Sequence, residues 1–167
     1  MTVTNWFCYE TCRTLLIAIV EEGRRLIEAG HKRIILFGAS VRHAELLAAA
    51  FLALEIEAHV VTGKTATVAR ARAIEKFRQV SSRPMILCNF GVLTTGFDAP
   101  NTSAAIIARP TRSLVLFSQM VGRATRGPKA GGNETCAIST VVDIDLPGFG
   151  DVADAFTNWE DVWNGSN

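Results

Sequence analysis

Gln119, Arg123 and Arg126 stand four and three residues apart, with Gly122 among them. On a helix these spacings share one face, while Leu114, Phe117, Val121 and Ala124, spaced three, four and three, form an apolar stripe on the other. Two guanidinium groups held a turn apart repel each other unless an anion lies between or before them, and a phosphate suits both. A glycine beside them clears room for close approach. An ordinary solvated face carrying two unrelated arginines satisfies the same spacing. A second stretch, Asn89-Phe-Gly-Val-Leu-Thr-Thr-Gly-Phe-Asp-Ala-Pro100, offers Asn and Thr side chains, free backbone at Gly91 and Gly96, and one carboxylate, Asp98. Hydroxyls and N–H groups suit phosphate oxygens, and a lone carboxylate suits sugar hydroxyls. A plain turn in which Asp98 accepts backbone N–H bonds ahead of Pro100 is the alternative.

The elements that must position these residues alternate along the chain. Apolar runs at 33–37, 58–61, 85–88, 104–108 and 136–144 read as strands. Helical patterns cover 11–29, 41–54, 67–79 and 113–126, with a last short helix at 151–163. Strands apolar on both faces and separated by helices imply a parallel sheet covered on both sides. In such sheets ligands bind beyond the carboxyl ends of the strands, so loops 38–41, 62–66, 89–100 and 109–113 are the ones to inspect. Three segments are expected: a helical one packing on the domain at 1–30, the α/β body at 31–150, and a short helix and tail at 151–167.

The 167 residues suit one domain with its own core, and 49% hydrophobic content excludes a disordered chain. No run of about 18 apolar residues exists, so no membrane partner is expected and the protein reads as soluble and cytoplasmic. All 17 Lys and Arg and nine of the 16 acids fall in residues 1–133, and the other seven acids in 134–167. A basic body with an acidic end suits a polyanion-binding surface, although ordinary solvated surface gives the same asymmetry. Cys8, Cys12, Cys88 and Cys136 lack the paired spacing of a zinc site, so no metal ligands are assigned. His31, His43 and His59 are scattered and receive no catalytic role. Phe156, Trp159 and Trp163 read as packing side chains of the last helix, with a base-stacking platform as the alternative.

Taken together, Gly-Phe-Asp-Ala-Pro at 96–100 and Gln-Met-Val-Gly-Arg-Ala-Thr-Arg at 119–126 resemble the fifth and sixth motifs of superfamily-2 helicases. Ile35-Leu-Phe-Gly-Ala-Ser-Val-Arg-His-Ala44 resembles the fourth, and Val61-Thr-Gly-Lys-Thr65 the segment between the fourth and fifth. The chain is similar to the helicase subunits of restriction enzymes and to DEAD/DEAH-type proteins. That resemblance implies a three-layer RecA-like domain of the P-loop NTPase type, the second of two that hold ATP between them. It implies that Arg123 and Arg126 reach the γ-phosphate as arginine fingers, that Gln119 senses that phosphate or its attacking water, and that Gly96, Asp98 and Gly122 line the nucleotide. Ser40, Thr65, Thr94 and Asn89 would meet the backbone of DNA or RNA; many relatives have a threonine where this chain has Asn89-Phe90. Mg²⁺ would be held mainly by the N-terminal RecA-like domain of the same protein, a partner that carries the P-loop.

Two other functions fit parts of the sequence. Gly63-Lys64-Thr65 is the tail of a P-loop, and Thr140-Val-Val-Asp143 could end in a Mg²⁺-binding acid, which together would make an independent NTPase. A P-loop needs another glycine where Ala58 stands. A non-catalytic nucleic-acid-binding module is the third reading.

Overall fold

The computed structural model describes residues 2–8, 12–92, 99–125, 131–133 and 135–143. Side chains are described from residue 14 to residue 141 within those ranges.

Strands β1 (Thr2–Cys8), β2 (Arg33–Gly38), β3 (Glu57–Thr62), β4 (Met85–Phe90), β5 (Ala104–Ala108) and β6 (Ala137–Asp143) form one sheet in the order β1-β6-β5-β2-β4-β3. Every pairing is parallel. Helices α1 (Cys12–Glu28), α2 (Val41–Ala53), α3 (Thr67–Arg78) and α4 (Leu114–Val121) connect them. Alternate residues of the central strands feed two cores. Ile34, Leu36, Ile86, Cys88, Ala104 and Ile106 pack with Ile19 and Leu26 of α1 and Leu47 and Phe51 of α2. On the other face Ile35, Phe37, Met85, Leu87 and Ile107 pack with Phe77 of α3 and Phe117, Met120 and Val121 of α4. The fold is thus the expected three-layer, RecA-like α/β arrangement, with both faces of the sheet dry.

Local chemistry sets the boundaries. Gly30, at φ +99°, ends α1 while its N–H donates to Ile27 O (3.0 Å) and that of His31 to Leu26 O (3.0 Å), a Schellman closure. Ser40 starts α2 by accepting from His43 N–H (3.1 Å), and Ser113 starts α4 by accepting from Leu116 N–H (3.2 Å). Arg33, buried at the amino end of β2, donates to the carbonyls of Phe77 (2.8 Å), Gln79 (2.6 Å) and Arg83 (2.8 Å), so it caps the end of α3. Glu22 of α1, also buried, takes both Arg25 (2.6 Å) and the hydroxyl of Ser139 on β6.

Two elements differ from the sequence expectation. Residues 2–8 are a strand pairing with β6 from Thr2↔Ala137 to Cys8↔Asp143, so the segment before residue 30 is not wholly helical. Helix α4 ends at Val121 instead of continuing to Arg126. After Gly122 the chain tightens, with Arg123 N–H donating to Met120 O (3.2 Å) and Ala124 N–H to Val121 O (2.9 Å), bonds three residues long. The expected helix at 151–163, with Phe156, Trp159 and Trp163, lies outside the described residues.

Candidate functional site

The carboxyl ends of β2, β3, β4 and β5 carry one group of candidates. Gly38 closes β2 where α2 approaches so tightly that a β-carbon there would sit 3.1 Å from Ala44 N. The next turn exposes Ser40, whose Oγ is engaged by His43 N–H. Ala39 N–H in turn donates to His43 Nδ1 (3.1 Å), which places the ring proton on Nε2. Burial pushes the His43 pKa below its ordinary value, and the positive end of α2 acts in the same direction.

At the end of β3, Thr65 Oγ1 accepts from Thr62 N–H (2.9 Å), Thr65 N–H donates to Thr62 O (3.1 Å), and Arg70 ties both carbonyls at 3.0 and 3.3 Å. The turn is closed on itself. Ala58, where a P-loop would need glycine, is a buried residue inside β3. Lys64 follows β3 and Asp143 ends β6, strands four places apart in the sheet order, about 19 Å at the usual strand spacing. One Mg²⁺-phosphate group cannot span that distance, so the independent NTPase assembled from Lys64 and Asp143 is excluded.

Asn89, expected at the nucleic acid, does not reach the surface. It lies in β4 at 0% exposure, and its Nδ2 donates to Leu36 O (3.0 Å) across to β2. It ties neighbouring strands together, and no nucleic acid can touch it there.

The other group lies in the segments around β5 and α4. Residues 99–103 lead into β5 at its amino end, where Ser103 N–H donates to Arg33 O (2.9 Å) and Asn101 Nδ2 to Arg78 O (2.6 Å). Helix α4 leaves the carboxyl side after β5, and its chain returns to this amino end: Asn133 Nδ2 donates to Thr102 O (2.9 Å) and Ala137 N–H to Ser103 O (3.1 Å). Ala124, just past α4, packs in one core cluster with Ala99. Gln119 is exposed on the last turn of α4, with Gly122 exposed and Arg123 half-buried just beyond it. Gln119, Gly122 and Arg123 therefore lie along α4 and just past its end, on the sheet face covered by α3 and α4, whereas Ser40 caps α2 on the other face. Thr94, Gly96, Asp98 and Arg126 lie outside the described residues.

At the carboxyl ends Arg42 and Arg109 have no role in the sequence reading, and Lys64 is read there only as the tail of a P-loop. Arg42 and Lys64 are exposed, Arg109 is half-buried, and among the described residues none of the three is within ion-pair distance of a carboxylate. Arg109 instead lies over the ring of Phe90, 4.9 Å from the guanidinium carbon to the ring centre. Their signal was available: all three basic residues lie in or beside loops that follow strands in a parallel sheet. Among the described residues no three His, Cys, Asp or Glu gather into a metal-binding group, and no helix is long and apolar enough to cross a membrane.

A parallel sheet of this topology, covered on both faces by helices, is the RecA-like fold seen in helicase C-terminal domains. The chain belongs to the helicase conserved C-terminal domain family, which matches residues 15–128. It is 34% identical over 99 residues to the "Putative ATP-dependent helicase IRC3" of Saccharomyces cerevisiae, covering 59% of this chain and 14% of that protein. It is 36% identical over 98 residues to the "51.5 kDa protein" of a Lactococcus phage, covering 59% of this chain and 21% of the relative. The chain thus spans well under two thirds of the length of either relative. The fold is similar to that of the C-terminal domain of the DEAD-box protein Dbp5, with TM-score 0.71 and 17% identity over 95% of this chain and 85% of that one. It is also similar to Mss116p bound to ssRNA and AMP-PNP, with TM-score 0.73 and 18% identity over 92% of this chain and 30% of that one.

Proposed function

We propose that this domain is the second half of an ATP-driven motor on DNA or RNA. The reading rests on two separate polar positions, the tightened turn Gln119–Arg123 at the end of α4 and the Ser40 cap at the start of α2. Gln119, Arg123 and Arg126 serve the nucleotide, with Gly96, Asp98 and Gly122 beside it, while Ser40, Thr65 and Thr94 grip the nucleic-acid backbone. Asn89 is withdrawn from the grip.

The donors of the Gln119–Arg123 turn are amide and guanidinium groups, which fit phosphate oxygens and do not fit Mg²⁺. ATP and Mg²⁺ are accordingly assigned to a cleft whose other wall, with the P-loop, belongs to a partner RecA-like domain. Bound ATP supplies the phosphoryl transfer. Arg123 and Arg126 supply positive charge where negative charge develops, and Gln119 orients groups around that phosphate. Phosphate oxygens stripped from water attract those cations more strongly than exposed ones do. The two domains then close with ATP and part after hydrolysis, and the grip at Ser40 and Thr65 shifts along the strand. Structures of the similar Mss116p hold single-stranded RNA and AMP-PNP together, which supports both ligands for this architecture.

The test joins this domain to a P-loop-bearing RecA-like domain and measures nucleic-acid-stimulated ATP hydrolysis. Arg123→Ala or Arg126→Ala should lower turnover about 10³-fold or more while nucleic-acid affinity barely changes. Equal loss of affinity and turnover, or ATP hydrolysis by the 167-residue chain alone, would overturn the assignment.

A further inference from the structure

Phe90 is the last residue of β4 and Arg109 the first after β5, yet these strands are not neighbours, since β2 runs between them. To meet, the Arg109 side chain has to cross the carboxyl end of β2, two strand spacings or about 10 Å. That strand ends in Gly38, which puts no side chain in the way. The guanidinium comes to rest on the Phe90 ring, 4.9 Å from its centre.

A guanidinium held over an aromatic ring by its charge still has N–H donors to offer a second partner. Its flexible stem is held, so little rotamer freedom remains to be lost when a ligand binds. No carboxylate among the described residues takes up this charge. Across the end of β2 begins α2, whose first turn is capped by Ser40 and carries the exposed Arg42. A braced cation one residue past Ala108, which pairs with Gly38 two residues before the Ser40 cap of α2, is chemistry for a phosphate.

We infer that Arg109, braced on Phe90, is a phosphate-binding residue of the nucleic-acid track at the carboxyl ends of the strands. Phe90 is a positioning residue. It does not stack a base through the ring face that Arg109 occupies. The inference rests on the proposed nucleic-acid grip and adds to it a contact at the end of β4, the strand next to the Thr65 turn.

Fluorescence anisotropy of the 167-residue chain with single-stranded DNA and RNA oligonucleotides, over a range of salt concentrations, tests it. Arg109→Ala should weaken binding about tenfold and reduce the slope of log affinity against log salt by about 0.7. Arg109→Lys should restore that slope but not the full affinity, because an ammonium lacks the stacked fork. Phe90→Leu should weaken binding several-fold with the slope unchanged, and Phe90→Trp should restore it. Lys64→Ala, on the neighbouring turn, separates the two levels of the argument. If Lys64→Ala lowers affinity and slope while Arg109→Ala leaves both intact, the role of Arg109 is wrong and the grip stands. If neither substitution matters, or the wild-type chain binds no oligonucleotide, the grip and Arg109 fall together. If Arg109→Ala reduces affinity without touching the slope, the contact is a stacked base and not a phosphate. Circular dichroism confirms that each variant is folded, and Arg109→Gln replaces Arg109→Ala if the latter is not.

Discussion

Gly38 and Ala44 lie so close that a β-carbon on Gly38 would come within 3.2 Å of Ala44 Cα and Cβ. This contact sets how near the start of α2 comes to the end of β2, and so where Ser40 and Arg42 stand. Ala44 is fully buried, and its N–H donates to Ser40 O (3.0 Å), so the helix has little room to yield. Gly38→Ala should therefore destabilise the domain by about 1–3 kcal/mol, the cost of overpacking a closed contact, despite the smaller entropy of the unfolded chain. Urea denaturation measures it, and an unchanged midpoint would show that α2 moves freely.

Arg33 offers a harsher test of the same scaffold. Its guanidinium satisfies three carbonyls beyond its own strand, at Phe77, Gln79 and Arg83, and burial lowers its pKa against the opposing pull of Glu57. Replacement by Met fills much of the volume but leaves those acceptors without a donor. A loss of about 2–4 kcal/mol in denaturant unfolding is expected. Arg33→Lys should recover only part of it, because an ammonium cannot reach three divergent carbonyls.

Much of this architecture was legible in the sequence because its central strands, 33–38, 85–90 and 104–108, are apolar on both faces, the mark of a covered parallel sheet. Strand β1 was not legible. Thr2, Thr4 and Asn5 break its apolar run, and its ladder partner β6 lies more than 130 residues away. The end of α4 was missed because the apolar stripe continues through Ala124, which is buried even though the backbone has already tightened at Gly122. The placing of α4 and α2 on opposite faces of the sheet depends on which way each crossover returns, and spacing along the chain does not encode that. Asn89 misled for a related reason: an amide near a strand's carboxyl end looks like a surface donor until its partner, Leu36 O, is known.

Glu55 adopts φ +61°, the left-handed conformation that costs a side chain about 1 kcal/mol and glycine almost nothing. It closes α2 as Gly30 closes α1, with Glu55 N–H donating to Leu52 O (3.0 Å) and Ile56 N–H to Phe51 O (3.0 Å). Its carboxylate also faces the negative end of the helix. Both effects have the same sign, so Glu55→Gly should stabilise the domain by about 1 kcal/mol. A raised urea midpoint with unchanged slope checks it, and a lowered midpoint would mean that Glu55 makes a compensating contact.

Acid should weaken the fold through its histidines before it reaches its carboxylates. Burial lowers the pKa of His43, and burial followed by the charge of Arg25 lowers that of His31, against a hydrogen bond its ring donates to the Ser103 backbone carbonyl. Both groups stay neutral in the folded chain at pH values where the unfolded chain, near 6.5, already takes up protons. The unfolded state then binds more protons, so stability is full above that value and declines as pH falls below it. Protonating His43 at Nδ1 would also break the bond from Ala39 N–H at the start of α2. Glu57 acts in a lower window. Burial raises its pKa, but hydrogen bonds from Lys76 and His59 outweigh that and hold it below 4.5, so its contribution is lost only in stronger acid. The urea midpoint should therefore be level near pH 8, begin to fall below about pH 6.5, and fall again below about 4.5. A His31→Asn, His43→Asn double variant should start lower and lose the first decline while keeping the second. An upper decline that survives in this variant would place the titrating groups elsewhere.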